Sequence, residues 1–145
     1  MKKTHVAKSS INGVGLFASE AIAPYELIFT VSGALHLVKD FDSLPEHLKK
    51  ASDDWVGISR YRYIDTKASP IRFINHSCEP NAALRTSRKL IAMKKIAPGE
   101  EITMDYSLTE AGQDYHRPCS CKTPSCRKVI TPINMLPVSL IQKRL

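Results

Sequence analysis

The sequence predicts one mostly β, loop-rich domain with one or two short helices. The chain has 145 residues, about the size of a single domain. Its nine prolines and its short apolar stretches, rich in β-branched residues and bounded by turn formers, favour strands over long helices. A hydrophobic fraction of 43% with 24% charged residues is typical of a soluble globular protein. No stretch approaches the roughly 18 consecutive apolar residues that a membrane helix needs, so no membrane association is expected.

Strands are predicted where short apolar runs lie between turn formers. Residues 13–32 fit two short strands joined around "APYE". Residues 61–65 and 89–98 favour further strands, and the turn at Pro98-Gly99 precedes another strand in "EEITMDYS". The first part of the chain is therefore expected to be rich in β structure.

Two short segments are predicted to be helical. In "DSLPEHLKK", Ser43 is a candidate N-cap, with Pro45 in the first turn and Glu46 three residues after the cap. The last stretch, "VITPINMLPVSLIQKRL", is apolar but interrupted by two prolines. We expect it to lie across the body of the domain and to end in a short helix from about Val138.

The net charge of +7 is concentrated in the second half of the chain. Residues 60–95 carry nine Lys and Arg against two Asp and Glu, and six Lys and Arg but no acid follow Asp114. Such a face can attract nucleic acid or an acidic partner, although solvated lysines on a soluble protein produce the same pattern. The basic start, "MKKTHVAKSS", lacks the apolar run and cleavage site of a signal peptide. An intracellular protein, cytoplasmic or associated with a nucleus or nucleoid, is expected, and a secreted effector without a classical signal stays open.

The four cysteines form a candidate metal site. Cys119, Cys121 and Cys126 lie in "CSCKTPSC", and Cys78 lies in "RFINHSCEPNA". Cys119 and Cys121 are too close in sequence for a relaxed mutual disulfide, whereas clustered thiolates suit tetrahedral zinc. Cys78 is the expected fourth ligand, which would pin the C-terminal segment onto the central loop. His116 is a rival fourth ligand, and the alternative to a metal site is three unligated thiols on an exposed tail plus one buried core cysteine.

Four separated motifs resemble those of the SET-domain protein lysine methyltransferases that carry a post-SET zinc segment. "GVGLFA" at residues 13–18 is similar to the family's glycine motif, and "RFINHSCEPN" at residues 72–81 is similar to its central motif. "GEEITMDY" at residues 99–106 matches the Asp-Tyr motif, and "CSCKTPSC" matches the CxCx4C tail. The resemblance covers nearly the whole chain, and the central and tail motifs are the most specific.

The resemblance implies a β-clip-like SET fold of small sheets. In this fold the C-terminal part threads a loop as a pseudoknot and brings the central motif beside the Asp-Tyr motif. The implied organisation is a SET domain over residues 1–115 with a short insert at about 36–60, a post-SET zinc segment over 116–130, and a C-terminal extension over 131–145. S-adenosylmethionine would bind on one face, and a protein lysine would enter from the other face through a narrow channel.

The candidate cofactor contacts lie in three of the motifs. The two glycines would let the backbone approach the cofactor, although "GVG" alone indicates only a turn. Asn75 and His76 match the pair that holds the cofactor's amino-acid and adenine parts, although His76 alone would more often be a core histidine. Arg72 matches a basic residue that borders the same pocket. The cofactor-binding candidates are Gly13, Val14, Gly15, Arg72, Asn75, His76 and Tyr106.

Tyr106 matches the family's catalytic tyrosine, whose hydroxyl orients the lysine amine. Methyl transfer needs mainly a neutral amine held in line with the methyl of a sulfonium, so positioning is the chief demand on the protein. A desolvating channel beside that cation would lower the lysine pKa from its usual value of about 10.4. Asp105 is expected to be a structural acceptor of backbone N–H groups rather than a general base.

Tyr61, Tyr63 and Met104 are the candidates for the substrate channel. Ordinary strand aromatics would produce the same pattern as the two tyrosines. Position 104 is often Phe or Tyr in this family, where a hydroxyl tends to restrict the product to monomethyl-lysine. Met104 carries no hydroxyl, which favours higher methylation states.

The predicted function is thus S-adenosylmethionine-dependent methylation of a protein lysine, with zinc in a structural role. A SET-like scaffold or reader without turnover is one alternative, and a basic zinc-containing nucleic-acid binder is another. The presence of Asn75, His76 and Tyr106 together with the glycine motif favours the enzyme.

The basic charge also bears on the substrate. A strongly basic enzyme is not steered toward an isolated lysine-rich tail unless acidic residues form a groove for it. The preferred hypothesis is therefore a histone or nucleoid-type protein that is bound to nucleic acid. The candidate residues for an acidic groove are Asp40, Asp42, Asp53 and Asp54.

Overall fold

Strands predominate in the structure, a computed structural model that describes residues 1–40, 42–59, 61–85, 88–109 and 115–143, except for the Asp53 side chain. The Asp53 part of the acidic-groove hypothesis therefore lies outside the described residues. The predicted mostly β fold of small sheets is confirmed. In chain order the strands are β1 (Thr4–Lys8), β2 (Val14–Ala18), β3 (Leu27–Thr30), β4 (Leu35–Leu37), β5 (Trp55–Ser59), β6 (Arg62–Asp65), β7 (Asn75–His76), β8 (Ala82–Leu84), β9 (Lys89–Ala92), β10 (Glu101–Met104), β11 (Arg117–Pro118) and β12 (Val129–Ile130).

A four-stranded sheet brings three of the sequence motifs together. Its strand order is β1-β2-β10-β7. Strand β10 runs antiparallel to β2, pairing Ile102 with Leu16, and parallel to β7, pairing Thr103 with Asn75. The glycine motif, the central motif and the Asp-Tyr motif therefore lie on adjacent strands, which is the juxtaposition that the family resemblance implied.

The remaining strands form three smaller sheets. Strands β3, β9 and β8 make one three-stranded sheet in the order β3-β9-β8, and strands at the two ends of the insert pair with β6 in another, in the order β4-β6-β5. Strands β11 and β12 pair over two residues beside the cysteine tail. The predicted strands within residues 13–32, 61–65 and 89–98 and in the "EEITMDYS" segment are thus present. The sequence did not predict the other strands, which are β1, β4, β5, β7, β8, β11 and β12.

Two short α-helices are present, as predicted: α1 (Glu46–Ala51) and α2 (Val138–Gln142). The predicted N-cap of α1 is wrong, because Pro45 occupies that position and no side chain caps the helix. A residue before proline is driven out of the helical conformation, so the helix cannot extend back through Leu44. The Ser43 hydroxyl instead donates to the Asp40 carbonyl oxygen at 2.9 Å, in the preceding turn. Among the described residues, no helix has the length and apolar character that crossing a membrane requires.

The main core is formed by side chains from the four-stranded sheet and from both three-stranded sheets. Its largest fully buried side chains include Leu16, Phe29, Ile74, Leu90 and Ile102. Burying each such side chain stabilises the fold by about 1.5–3 kcal/mol. A second, smaller cluster joins Val38 and Trp55 of the insert to Tyr63 of β6.

The predicted domain boundaries stay predictions. Residues 110–114, which precede the predicted junction at 115, lie outside the described residues, as do the last two residues of the predicted C-terminal extension.

Candidate functional site

The side chain of Asn75 connects the central motif to the loop before β2. Its Nδ2 lies 2.9 Å from the Val14 carbonyl oxygen and 3.2 Å from that of Asn12. The same nitrogen lies 2.7 Å from Oε1 of Glu101, at the start of β10. Asn75 is 9% exposed, and these contacts hold the three motifs in a fixed relation.

The two glycines of the first motif serve different purposes in the structure. Gly13 has a φ of +47°, a left-handed conformation that glycine adopts readily. Gly15 is buried, and a Cβ at this position would overlap the carboxylate of Glu101. That carboxylate also accepts a hydrogen bond from the Ser9 hydroxyl at 2.8 Å. Gly15 therefore makes room for a protein side chain, a reason that differs from the expected approach of the backbone to a cofactor.

His76 is buried between the Asp-Tyr motif and the cysteines. Its Nδ1 accepts the Tyr106 backbone N–H at 3.1 Å, and its Nε2 lies 3.4 Å from Sγ of Cys78. Since Nδ1 is the acceptor, a neutral ring carries its proton on Nε2, which faces the thiol. The Tyr106 ring packs edge-on against His76 with centroids 5.5 Å apart.

The Tyr106 side chain is half-buried and anchored at its hydroxyl. Its Oη donates to the Ile74 carbonyl oxygen at 2.6 Å. A 3-10 helix over Tyr106–Leu108 starts at this residue. Ring packing, the backbone N–H and the hydroxyl thus fix Tyr106 from three directions.

Two cavities meet at Tyr106. The smaller, of about 240 Å³, includes Asn12, Asn75 and His76 in its lining. The larger, of about 470 Å³, includes Trp55 and Met104. Both cavities are also bordered by Tyr115 and Arg117.

The structure separates the predicted channel residues. Tyr63 and Met104 are 5% and 3% exposed and line the larger cavity with Tyr106. Tyr61 is 41% exposed and is not among the residues that line this cavity. Two of the three channel candidates therefore share one cavity.

Arg72, predicted to border the cofactor pocket, lies at the larger cavity instead of the one that contains Asn75 and His76. Its Nη1 donates to the Lys67 carbonyl oxygen at 3.1 Å, and its Nη2 lies 4.0 Å from Oδ1 of Asp54. Arg72 thus lies beside Asp54, the one acidic residue among the described residues that line this cavity.

Three of the four predicted metal ligands, Cys78, Cys119 and Cys121, lie in one group with His76, whereas Cys126 lies beside Cys119 and is not a member of that group. Sγ of Cys119 lies 3.7 Å from Sγ of Cys78 and 3.7 Å from Sγ of Cys126. A group of four potential ligand atoms, all within 4.8 Å of one another, comprises His76, Cys78, Cys119 and Cys121. The cluster can therefore bind a metal ion. His116, the rival ligand, is exposed and does not belong to this group.

The thiols of the cluster differ in their tendency to ionise. Burial raises the pKa of Cys78 and of Cys119. Burial also opposes ionisation of Cys121, but the Thr123 hydroxyl and the Cys78 backbone N–H outweigh it and lower the pKa of Cys121 to about 6. Metal binding requires the thiolate form, and among Cys78, Cys119 and Cys121 the Cys121 thiol loses its proton most readily.

Asp105 forms a buried ion pair with Arg127. The guanidinium Nη1 and Nη2 donate to the two carboxylate oxygens at 2.8 and 2.7 Å. The Ser107 backbone N–H also donates to Oδ1 at 3.2 Å. These contacts occupy both oxygens, which agrees with the structural role expected for Asp105.

Sequence reasoning did not identify Glu101 or Arg127 as part of the site. Each lies next to a recognised position, Glu101 inside the "GEEITMDY" segment and Arg127 directly after Cys126. Their partners, Asn75 and Asp105, are 26 and 22 residues away in sequence. Only folding brings such distant pairs together.

Sequence comparisons relate the chain to chromatin-modifying enzymes. It is 30% identical over 136 residues to "Histone-lysine N-methyltransferase trr" of Drosophila melanogaster, which covers 86% of this chain and 6% of that protein. It is 32% identical over 142 residues to "Histone-lysine N-methyltransferase, H3 lysine-36 specific" of Candida albicans, which covers 87% of this chain and 16% of that protein. The chain thus spans less than a fifth of the length of these curated relatives.

Solved structures share the fold. The methyltransferase domain of human histone-lysine N-methyltransferase SETMAR superposes with a TM-score of 0.68 at 22% identity, covering 91% of this chain and 59% of that one. KRYPTONITE in complex with mCHH DNA, an H3(1-15) peptide and SAH gives a TM-score of 0.67 at 23% identity, covering 90% of this chain and 30% of that one. The SET domain family model matches residues 13–107, more than half of the sequence. The chain therefore belongs to the SET domain family.

Proposed function

We propose that this protein transfers a methyl group from S-adenosylmethionine to the side-chain amine of a protein lysine. The observation that carries the proposal is the position of Tyr106, which borders two cavities at once. A bisubstrate methyl transfer needs two pockets that meet at one point, with a polar group at the junction. The relatives named as histone-lysine N-methyltransferases support the same reaction class.

The smaller cavity fits the cofactor by its chemistry. Its lining includes the amide side chains of Asn12 and Asn75 and the imidazole of His76, groups that suit the ammonium, carboxylate and adenine of the cofactor. When bound, S-adenosylmethionine supplies an electrophilic methyl on a sulfonium. Asn75 and His76 would hold it, with Gly13 in the adjoining loop and Val14 and Gly15 at the start of β2.

The larger cavity fits a lysine side chain. Apolar and aromatic groups, including Trp55, Tyr63 and Met104, make up much of its lining. Burial among them disfavours the charged ammonium, lowers the lysine pKa and yields the neutral amine that can attack. Tyr106 would orient that amine, and Met104, which has no hydroxyl, favours more than one round of methylation.

The cysteine cluster is proposed to hold a structural zinc ion through Cys78, Cys119, Cys121 and Cys126. A ring nitrogen of His76 lies within 4.8 Å of Sγ of Cys78, Cys119 and Cys121. Its Nδ1 accepts a backbone N–H, however, so Nε2 carries the proton. A protonated nitrogen cannot bind a metal, whereas it can donate to the Cys78 thiolate. Cys126, 3.7 Å from Cys119, is therefore the better fourth ligand, completing a tetrahedral site.

The substrate is proposed to be a histone or nucleoid-type protein bound to nucleic acid, inside the cell. The acidic groove that would favour a free basic tail is not supported by the described residues, since Asp54 is the acid at the larger cavity and Arg72 lies beside it. The KRYPTONITE structure contains both DNA and an H3 peptide. Equal rates on free and DNA-bound histones at moderate salt would contradict this part of the proposal.

A non-catalytic scaffold is the second candidate function. It is suggested by the Tyr106 hydroxyl, which already donates to a backbone carbonyl oxygen. A scaffold would keep the fold and the metal cluster without binding cofactor.

The decisive measurement is calorimetric titration of the zinc-loaded protein with S-adenosylmethionine. We expect micromolar binding that Asn75→Ala abolishes and that Asn134→Ala, at an exposed position, leaves unchanged. With histones as substrate, Tyr106→Phe should lower turnover about 100-fold, because the amine loses its orientation, while cofactor affinity changes less than about threefold. A folded, zinc-loaded protein that binds no cofactor would instead support the scaffold.

A further inference from the structure

We infer that Arg127 is a positioning residue through which the cysteine cluster holds the Asp-Tyr motif in its catalytic place. The inference rests on the proposed function and adds to it a residue that is not among those lining either cavity.

The side chain of Arg127 holds the Asp-Tyr motif. Its two terminal nitrogens bind both carboxylate oxygens of Asp105, and Nη2 also donates to the Ser107 hydroxyl at 3.1 Å. The Asp105 side chain is 0% exposed. A bidentate, charge-assisted pair of this kind fixes orientation as well as distance.

The main chain of Arg127 belongs to the cysteine cluster. Its backbone N–H donates to Sγ of Cys78 at 3.3 Å, and the residue directly follows Cys126. One residue therefore touches the cluster with its backbone and the Asp-Tyr motif with its side chain. The position of the guanidinium therefore depends on whether the cysteine cluster is ordered.

Asp105 transmits this position to Tyr106. Its carboxylate caps the 3-10 helix that begins with Tyr106, by accepting the Ser107 N–H. Oδ1 also lies 3.6 Å from Nδ1 of His76, the atom that accepts the Tyr106 N–H. Without Arg127 the buried carboxylate would lack its cation, a strongly unfavourable state, so Asp105 would move and shift the start of this helix.

The test compares Arg127→Lys and Arg127→Gln with Lys128→Gln in the zinc-loaded protein. Arg127→Lys keeps the charge but loses the two-pronged geometry, and Lys128→Gln removes a charge at the neighbouring exposed position. Four quantities are measured: zinc content, cofactor affinity, kcat on histones, and the backbone ¹⁵N–¹H resonance of Tyr106. The Tyr106 resonance reports the geometry even if no turnover is found.

We expect both Arg127 variants to keep one zinc per chain and to bind cofactor within about threefold of wild type. Their kcat should fall at least about tenfold, and the Tyr106 amide resonance should shift, whereas Lys128→Gln should change neither. Loss of zinc together with kcat would overturn the inference in favour of a merely structural role. An unshifted Tyr106 resonance would overturn it as well.

If the wild-type protein binds no cofactor and turns over no lysine, while the Tyr106 resonance shifts only in the Arg127 variants, the proposed function fails and the positional coupling stands.

Discussion

The four-stranded sheet and the cysteine tail, residues 116–130, are held in place by different forces. The sheet rests on the five-residue pairing of β1 with β2 and on side chains such as Leu16 and Ile102, which are 1% and 0% exposed. The regular structure described in the tail is one pair of two-residue strands, and its buried residues are Cys121 and Ile130. The hydrophobic effect therefore stabilises the sheet, whereas the tail has too little apolar surface to order itself.

Individual side-chain contacts connect the tail to the rest of the molecule. Lys122 donates to the Ser10 carbonyl oxygen at 2.8 Å, and the Ser120 hydroxyl donates to that of Ile11 at 3.3 Å. The smaller cavity lies between this tail and the loop before β2. The core thus builds the three motifs on adjacent strands, whereas residues of the tail complete the smaller cavity, and we propose that the order of the tail depends on metal binding by the cysteine cluster.

The largest effect should come from Cys119→Ser, because Cys119 contacts two other thiols at 3.7 Å. We expect loss of zinc and a fall in cofactor affinity of at least about tenfold, since the tail forms part of the cavity. Amide resonances of β2 and β10 should persist, as measured by NMR. A chelator added to the wild-type protein provides the matched control. Unfolding of the sheet in either sample would contradict the proposal that the sheet is stable without the metal.

Ile102→Ala should have the opposite pattern. Removing a fully buried side chain from β10 should lower the free energy of unfolding by about 2–5 kcal/mol, as measured by urea denaturation. Zinc content under native conditions should stay at one ion per chain. Val14→Ala, at a 50% exposed position on β2, is the control and should have a much smaller effect. Release of zinc by Ile102→Ala from protein that is still folded would contradict the proposal that the core and the metal cluster stabilise different parts of the molecule.

The smallest effect should come from Glu26→Gln, which tests whether exposed ion pairs contribute to the sheet side of the molecule. Oε1 of Glu26 lies 2.7 Å from Nζ of Lys2. The hydrogen bond from Lys2, with a further one from the Ala23 backbone N–H, lowers the pKa of Glu26. A lowered folded-state pKa stabilises above the ordinary carboxyl range and loses this effect as the pH falls through the folded value.

Thermal unfolding from neutral to acidic pH checks this. Wild type should exceed Glu26→Gln in Tm only slightly at neutral pH, and the difference should vanish in acid and in high salt, because solvent screens exposed pairs. A large Tm difference that persists in high salt would show that exposed charges, and not the core alone, stabilise the sheet region.

Local sequence patterns predicted several strands and both helices, because the conformation of these segments depends mainly on residues that are neighbours in the sequence. The strands around "APYE", the β10 segment and the helix at Val138 were all predicted from turn residues and apolar runs. Strand β7 could not be predicted this way, because two residues contain no periodic pattern. The start of α1 was misplaced because Ser43 can bond within a turn as well as cap a helix.

The sequence by itself determined the mostly β class, the four motifs and the cysteines that can bind a metal, since these depend on residue type and spacing. Only the tertiary structure decided that Glu101 contacts Asn75, that Arg127 pairs with Asp105 and that Arg72 faces the larger cavity. It also brought His76 beside the thiols in place of His116. The physical reason is that such contacts join residues far apart in the chain, and their partners are selected by packing and by the need to pair buried charges and polar groups.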